Sequence, residues 1–240
     1  MASLWRIPLL LASTRCVQIS LSSPNPPAKA DERRKFVNTT SSKQRGIQLK
    51  DVLPLITKFY KALMIAINLI EVVVIVASNL PFSRIQHNIF VGIQTDHVRI
   101  TLSFLLGFLL VISGTMLRIF CYRILGPNFT FELTLRPDHD LITSGPYSVV
   151  RHPSYTGGLI FMTGLSVCQM GEGSWWKESG LQELVPGRLF WMVWVGVVAV
   201  VEAFLVYRTT VEDEALKGHF GEKWERWAKT TRYRLLPYVY

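Results

Sequence analysis

The feature that most constrains this chain is a series of four apolar segments, at residues 52–80, 98–120, 157–170 and 188–207. A helix needs about 20 mostly apolar residues to cross the hydrocarbon core of a bilayer. Short apolar runs can also be buried helices of a soluble core, but three of these four exceed that length. The pattern therefore predicts an all-α integral membrane protein, a bundle of about four to five transmembrane helices.

The composition is typical of a membrane protein, and the placement of its basic residues indicates which anionic partners it contacts. The 240 residues are 49% apolar and 18% charged, and the formal net charge is +9. The basic residues flank the apolar segments instead of forming one patch, which favours contact with anionic lipid headgroups over nucleic acid. The three cysteines lie far apart, so their spacing indicates neither a metal site nor a disulfide framework.

Individual residues refine the expected packing. Glu71 lies inside the first apolar segment, and a carboxylate there is expected to face the interior of the bundle because lipid offers it no partner. Gly107 and Gly114, in the second segment, would allow close helix contacts. The third segment is short, and it spans only if its helix begins at the polar turn before it, near Tyr155; otherwise it packs as part of a hairpin.

The first 50 residues differ from the rest and predict a separate N-terminal tail. The first acidic residue is Asp31, and residues 22–50 are rich in Ser, Pro, Lys and Arg. A signal or transit segment and a poorly ordered tail are both compatible with this composition. Residues 51–240 are the expected membrane domain, with a motif core at 121–240.

The distribution of basic residues predicts the topology. If the N-terminal tail is cytosolic, four spans place residues 121–156 and 208–240 on the same side, and both stretches are rich in Arg and Lys. Loops rich in these residues are typically cytosolic. The loop before the third main segment and the C-terminal tail are therefore expected to build one cytosolic pocket.

The polar, turn-rich stretch at residues 139–158 lies between two apolar segments. Gly145-Pro146 and His152-Pro153 predict rigid turns. Between and after these turns are side chains that can donate, accept, stack and titrate, namely Tyr147, Arg151, His152, Ser154 and Tyr155. An ordinary juxtamembrane loop and a ligand site both fit these residue types.

A second polar cluster follows the last apolar segment. Arg208 and Glu212 are four residues apart, so they share one face of a helix. They form either a surface ion pair or two ligand-holding groups, because a guanidinium suits a carboxylate and a carboxylate suits an amine or ribose hydroxyls. Residues 222–227 have the pattern of an amphipathic interfacial helix.

The two clusters together resemble the isoprenylcysteine carboxyl methyltransferase family, whose members are integral membrane enzymes. The resemblance covers about residues 100–240. The matching residues are His139-x-Leu-Ile-Thr-Ser-Gly-x-Tyr147, Arg151-His-Pro-Ser-Tyr155 and Gly157, then Arg208, Glu212, Asp213, Leu216 and Phe220-Gly221. The spacing between the blocks also fits, which makes the match more specific than any single block.

This resemblance implies that the cofactor is S-adenosylmethionine and that the substrates are the C-termini of prenylated, CaaX-processed proteins. It further implies an endoplasmic reticulum membrane location with the site facing the cytosol. Arg208 corresponds to a substrate-binding residue, here expected to orient the reacting carboxylate. The implied cofactor contacts are Glu132, His139, Asp140, Leu141, Ile142, Tyr147, His152, Pro153, Ser154, Tyr155 and Glu212.

Three positions depart from the family pattern. Glu132 stands where members of the family can have a cofactor-contacting glutamine. Asp213 stands where the second of two paired glutamates is usual, and Trp224 replaces an aromatic residue that is often tyrosine.

Methyl transfer from a sulfonium asks little acid–base chemistry of a protein. The substrate carboxylate is already ionised at neutral pH, so the protein mainly has to align it with the methyl carbon and exclude water. The sequence therefore predicts no protein nucleophile.

Three other functions remain open. Sterol reductases share a similar Arg-His-Pro-x-Tyr turn and a similar C-terminal tail, and would bind NADPH. A phospholipid N-methyltransferase would use the same cofactor with an amine acceptor, for which a carboxylate clamp at Arg208 has little use. The last is a membrane scaffold that keeps the fold without turnover.

Overall fold

The computed structural model describes residues 3–26, 46–79, 97–131 and 140–239, with side chains of the second range from residue 55 onward, and the regular secondary structure in these ranges is helical. The α-helices are α1 (Arg6–Ser20), α2 (Gly46–Asn79), α3 (Leu102–Leu125), α4 (Pro153–Met170), α5 (Trp175–Glu178), α6 (Val185–Phe220) and α7 (Glu222–Thr230), and short 3-10 helices cover Gly126–Asn128, Gly145–Ser148 and Leu181–Glu183. No strand occurs in these ranges, so the predicted all-α class is confirmed.

Three of the described helices are long and apolar enough to cross a membrane. The qualifying stretches are Leu55–Asn79, Leu102–Asn128 and Val185–Phe220. The short third apolar segment forms α4, which begins at Pro153 and so includes the turn around Tyr155. Its 18 residues extend about 27 Å, somewhat less than the hydrocarbon core of about 30 Å. A fourth or fifth span thus stays a prediction.

The chain divides into two compact units. Unit 1 comprises residues 1–18, 60–114 and 160–200, and unit 2 comprises residues 19–59, 115–159 and 201–240. The predicted motif at 139–158 and the tail after residue 207 therefore belong to the same unit.

Unit 1 contains the first helix within its core. Leu10 and Val17 of α1 are fully buried, and Leu10 packs with Ile75, Val98 and Phe104. Residues 6–20 belong to the stretch predicted as a tail, yet one face of this helix is covered by protein. Sequence composition could not reveal this packing because the helix has almost no amphipathic pattern: Ser and Thr share its buried side with leucine.

A buried ion pair links α1 to α2. The Nε of Arg6 donates to Glu71 Oε1 at 2.7 Å, and both side chains are almost fully buried. The same guanidinium donates to the carbonyls of Arg99 and Cys168, and it lies over the ring of Phe104. The inward orientation predicted for Glu71 is therefore confirmed, and its counter-ion comes from the N-terminal segment.

Glycine allows two helices of unit 1 to approach closely. A Cβ added at Gly164 of α4 would lie 2.7 Å from the Gly107 carbonyl oxygen of α3, and one added at Gly107 would lie 2.9 Å from Cys168 Sγ. Real Cβ atoms do not tolerate such distances, so both positions need glycine for this contact. The close helix contact predicted at Gly107 is confirmed.

Unit 2 is built around an arginine inside α3. Arg118 is buried, and its Nε donates to the Ser20 carbonyl and to the Tyr122 hydroxyl. Its Nη1 donates to the carbonyl of Ser154 at 2.9 Å. Ser20 is the last residue of α1, so a cation there also suits the negative end of that helix dipole. One side chain thus connects the end of α1 with the first turn of α4.

The short helix α7 packs its apolar face on protein. Trp227 is buried against Cys121 and Tyr147, and its Nε1 donates to the Tyr147 carbonyl at 3.1 Å. Helix formation at 222–227 is confirmed, but the prediction that its apolar face contacts lipid is wrong for Trp227. Amphipathic pattern alone cannot distinguish these two outcomes, because a protein core and a bilayer both accept an apolar helix face.

Candidate active site

The turn before α4 is fastened to the C-terminal segment by backbone hydrogen bonds. Arg151 N–H donates to the Tyr233 carbonyl at 2.9 Å, and His152 N–H donates to the Arg234 carbonyl at 2.8 Å. The hydroxyl of Thr156 donates to the Leu235 carbonyl at 2.6 Å. Pro153 has no N–H to satisfy and starts α4, a position at which proline is favoured. The turn and the tail therefore form one framework.

Asp213, on the last turns of α6, stands at the centre of this framework. It is buried, and its Oδ1 lies 2.9 Å from Nε2 of His152. Its Oδ2 accepts from Arg151 at 3.2 Å and from Arg234 at 3.0 Å. A buried carboxylate needs such partners because desolvation is costly. Asp213 therefore connects the turn, α6 and the tail.

Glu212 lies beside Asp213 and contacts the other side of the turn. The Tyr155 hydroxyl donates to Glu212 Oε2 at 2.7 Å, and Nδ1 of His152 is 3.9 Å from the same oxygen. The Glu212 side chain is 31% exposed, whereas that of Asp213 is 5% exposed. The glutamate is therefore the acid of this pair that a ligand can reach.

Arg208 lies one turn before Glu212 on α6, and the two do not form an ion pair. The guanidinium of Arg208 donates through Nη2 to the carbonyl of Phe131, and its Cζ lies 5.7 Å from the ring centroid of Tyr155. The residue is 7% exposed, and its Nε has no hydrogen-bond partner among the described residues. The alternative of a surface ion pair is therefore wrong.

Tyr147 is at the centre of a buried cluster behind the turn. It packs with Cys121 and Trp227, and Leu141 and Ile142 pack against them. Burial raises the pKa of the Tyr147 phenol well above its ordinary value, and the neighbouring Cys121 and Glu212 raise it further. The phenol thus remains protonated. These contacts hold three of the predicted cofactor residues, Leu141, Ile142 and Tyr147, in one cluster. No hydrogen bond between these residues and Glu212 occurs in the described part of the chain.

A surface cleft lies between residues 140–143 of the motif and the end of α6 with the adjacent α7. Its lining consists of Asp140, Leu141, Thr143, Phe220, Lys223 and Arg226. Of the predicted cofactor residues, Asp140 and Leu141 lie here, while His152 and Tyr155 lie at the carboxylate pair. Glu132 and His139 are outside the described residues. Pro153 and Ser154 are buried at the start of α4, where the carbonyl of Ser154 accepts from Arg118.

Several important side chains were not singled out by sequence reasoning. Asp213 was given as a family match that departs from paired glutamates, with no role of its own, and Arg234 lay among the basic residues of the tail. Arg118 gave a usable signal, because an arginine inside an apolar segment requires buried partners. Trp224 was noted as a departure from the family pattern, but nothing in the sequence indicated that its indole Nε1 would be buried without a hydrogen-bond partner among the described residues.

Fold and site together define a class: an α-helical integral membrane protein with a polar site built from the turn before α4 and the end of α6. A sequence model of the isoprenylcysteine carboxyl methyltransferase (ICMT) family matches residues 105–170, which include α4 and the turn. The family resemblance inferred from the motifs is thereby confirmed over this part of the chain.

Similarity to individual proteins points in two directions. Protein-S-isoprenylcysteine O-methyltransferase B of Arabidopsis thaliana is 38% identical over 63 residues, which are 25% of this chain and 32% of that protein. Delta(14)-sterol reductase erg24 of Schizosaccharomyces pombe is 30% identical over 100 residues, 42% of this chain and 19% of that protein. Delta(14)-sterol reductase TM7SF2 of Mus musculus is also 30% identical over 100 residues, 42% of this chain and 20% of that protein.

The chain spans about a fifth of the length of these sterol reductases and about a third of the plant methyltransferase. No solved structure matches it. The family model and the plant relative are both named for isoprenylcysteine methyltransferases.

Proposed function

We propose that this protein transfers a methyl group from S-adenosylmethionine to the C-terminal prenylcysteine α-carboxylate of prenylated proteins. The reaction takes place at the endoplasmic reticulum membrane, with the site facing the cytosol. The observation that carries the proposal concerns Arg208, whose guanidinium is buried beside the turn. This guanidinium has no carboxylate partner among the described residues.

Arg208 has the properties required to hold a substrate carboxylate. A buried cation is costly unless it is paired, and the acceptors described for Arg208 are neutral groups, the carbonyl of Phe131 and the hydroxyl of Tyr155. The unpartnered Nε leaves a donor that an incoming carboxylate would satisfy. Arginine donates through a planar fork suited to carboxylates. A substrate carboxylate at this position would therefore be oriented as well as bound.

The neighbouring groups fit the other reactant. Glu212 is part-exposed and can accept hydrogen bonds from hydroxyl or ammonium groups, and such donors occur on the ribose and amino acid portions of S-adenosylmethionine. When bound, that cofactor would supply an electrophilic methyl group to a carboxylate oxygen of the substrate, and the carbon–sulfur electron pair would stay on the sulfur. The products are a methyl ester and a thioether.

No residue of the protein has to move a proton in this reaction. The attacking carboxylate is ionised at neutral pH, and the leaving group is a neutral thioether. The Tyr155 hydroxyl donates a hydrogen bond to Glu212 but keeps its proton, because burial raises the pKa of this phenol. The protein contributes by aligning the two bound groups and by excluding water. Correct alignment alone can accelerate such a reaction by a large factor.

The membrane location suits a prenylated substrate. The apolar stretch of α6 is only 6% buried within the protein, so most of its surface is available to lipid. At about 1.5 Å per residue, this helix of 36 residues is about 54 Å long, longer than the hydrocarbon core of about 30 Å. Its polar end, which carries Arg208 and Glu212, would extend beyond the apolar layer. A prenyl chain in the bilayer could then reach the site laterally.

The second candidate function is an NADPH-dependent sterol reductase. It is favoured by the similarity to two delta(14)-sterol reductases and to the 7-dehydrocholesterol reductase of Danio rerio, which is 29% identical over 100 residues. These relatives are much longer than this chain, of which they match 42%. The guanidinium of Arg208 would suit a phosphate of NADPH as well as a carboxylate, so the two functions are distinguished by which cofactor binds and which acceptor reacts.

The acceptor assay tests the proposal. Purified full-length protein in nanodiscs would receive radiolabelled S-adenosylmethionine with either a farnesyl-cysteine analogue or phosphatidylethanolamine. We expect base-labile methyl ester on the farnesyl-cysteine analogue only. Label on the phospholipid amine would establish an N-methyltransferase. Oxidation of NADPH dependent on a sterol, without methyl transfer, would establish the reductase.

A further inference from the structure

We propose that Asp213 is a positioning residue that fixes the tautomer of His152 and thereby makes Nδ1 of that ring a hydrogen-bond acceptor for the methyl donor. The inference rests on the proposed function, because it assigns one part of the methyl-donor site. Neither the family match nor the similar proteins assign such a role to Asp213. The starting observation is the 2.9 Å contact between Asp213 Oδ1 and His152 Nε2.

The chemistry of this contact determines where the ring proton lies. An ionised carboxylate can only accept hydrogen bonds, so the hydrogen between the two atoms must be on His152 Nε2. In the neutral form of the ring, Nδ1 then has no hydrogen and is an acceptor. The assignment follows from the partner and does not require observed hydrogen positions.

The acceptor side of the ring faces the accessible glutamate. His152 Nδ1 lies 3.9 Å from Glu212 Oε2, which is too long for a direct hydrogen bond. Two acceptors therefore border the same region, while Oε2 has one donor from Tyr155. A ligand group that bridges them must offer N–H or O–H hydrogens. The site thus selects a cationic amine or a hydroxyl, and it disfavours a carboxylate or phosphate at this point.

Asp213 can perform this role because its own orientation is fixed. Its second oxygen accepts from Arg151 of the turn and Arg234 of the tail, so the carboxylate cannot rotate away from His152 without losing two ionic contacts. The ring is also held through its backbone, since His152 N–H donates to the Arg234 carbonyl. The C-terminal segment therefore contributes to donor recognition without contacting the ligand.

The Asp213→Asn variant tests the role because an amide can present N–H to the ring and reverse its tautomer. We expect S-adenosylhomocysteine to bind about tenfold more weakly, the loss expected when one hydrogen bond to a charged group is removed. The KM for S-adenosylmethionine should rise by a similar factor, while the KM for the farnesyl-cysteine analogue stays within about twofold. Asp213→Glu, which keeps an acceptor-only group, should recover most of the affinity.

The matched control is Glu214→Gln, since Glu214 is the adjacent acid on α6 and its side chain is exposed. This variant should bind S-adenosylhomocysteine like the wild type. Equal loss in both variants, or wild-type affinity in Asp213→Asn, would overturn the inference.

A second measurement avoids the risk that Asp213→Asn fails to fold. Histidine-selective ¹⁵N NMR of the wild-type protein, with His152 assigned by its loss in His152→Gln, reports which ring nitrogen carries the proton. We expect the Nε2–H tautomer at a pH at which the ring is neutral. The Nδ1–H tautomer would contradict the inference. Absence of wild-type S-adenosylhomocysteine binding would instead refute the proposed function, whatever the tautomer.

Discussion

The hydroxyl of Tyr155 donates a 2.7 Å hydrogen bond to Glu212, which joins the first turn of α4 to the polar end of α6. The two residues are 57 positions apart in the chain, and each belongs to a different predicted polar cluster. Together with the contact between His152 and Asp213, this bond brings the two clusters into one site. The methyl-donor hypothesis requires that proximity.

Removal of this hydrogen bond should weaken cofactor binding without unfolding the protein. In Tyr155→Phe, Glu212 loses its neutral donor and its carboxylate is no longer held in place. We expect S-adenosylhomocysteine to bind about three- to tenfold more weakly, as measured by isothermal titration calorimetry. Tyr207→Phe is the control, because Tyr207 is exposed on the same helix. Unchanged affinity in Tyr155→Phe would show that the ordering of Glu212 is irrelevant to the ligand.

Replacement of Arg208 should separate turnover from cofactor binding. Arg208→Ala removes the group assigned to the substrate carboxylate, so kcat/KM for the farnesyl-cysteine analogue should fall about a hundredfold or more. Affinity for S-adenosylhomocysteine should stay within about threefold. Lys217→Ala, an exposed position on α6, should change neither quantity.

The result for Arg208→Lys adds a geometric test. Lysine keeps the charge but lacks the planar fork, so turnover should recover only in part. Equal loss of cofactor binding and turnover in Arg208→Ala would refute the division of roles between Arg208 and Glu212.

Some features of this structure could be predicted from the sequence, and others could not. The helical class, the long apolar helices and the inward orientation of Glu71 follow from apolar length and from the cost of charge in lipid. The proximity of the two clusters followed from the distribution of basic residues. Apolar length, the cost of a charge in lipid and the distribution of basic residues can all be read directly from a sequence.

Tertiary partners were harder to foresee. The burial of α1 and the pairing of Arg6 with Glu71 depend on contacts 65 residues apart, and α1 itself has no amphipathic pattern. Trp227 was assigned to the lipid interface, because an amphipathic helix pattern suits a lipid surface as well as a protein core. Asp213 was underestimated since its three partners, Arg151, His152 and Arg234, come from two separate segments.

Trp227 should contribute strongly to the stability of unit 2. Trp227→Ala removes a buried ring and leaves the Tyr147 carbonyl without its donor, which should cost about 3–5 kcal/mol. Trp227→Phe retains most of the packing and loses mainly the hydrogen bond, at about 1 kcal/mol. The melting temperature in detergent, measured by intrinsic fluorescence, should therefore fall much more in the alanine variant. Equal, small shifts in both would mean that α7 packs on lipid.

Substitutions of the buried pair Arg6 and Glu71 should have non-additive effects on the stability of the protein. Arg6→Met or Glu71→Leu alone leaves an unpaired charge in an apolar setting, which should cost about 3–5 kcal/mol. The double variant removes both charges and should be more stable than either single one, as judged by melting temperature in the same detergent. Additive losses would contradict the pairing and with it the structural role of α1.

The most direct test of the account is equilibrium binding of radiolabelled S-adenosylmethionine to the purified full-length protein in nanodiscs, with S-adenosylhomocysteine and NADPH as competitors. We expect saturable binding that S-adenosylhomocysteine displaces and NADPH does not. We also expect His152→Ala on the turn and Glu212→Gln on α6 each to weaken this binding. Displacement by NADPH, or a loss confined to one of the two segments, would contradict a methyl-donor site built from both.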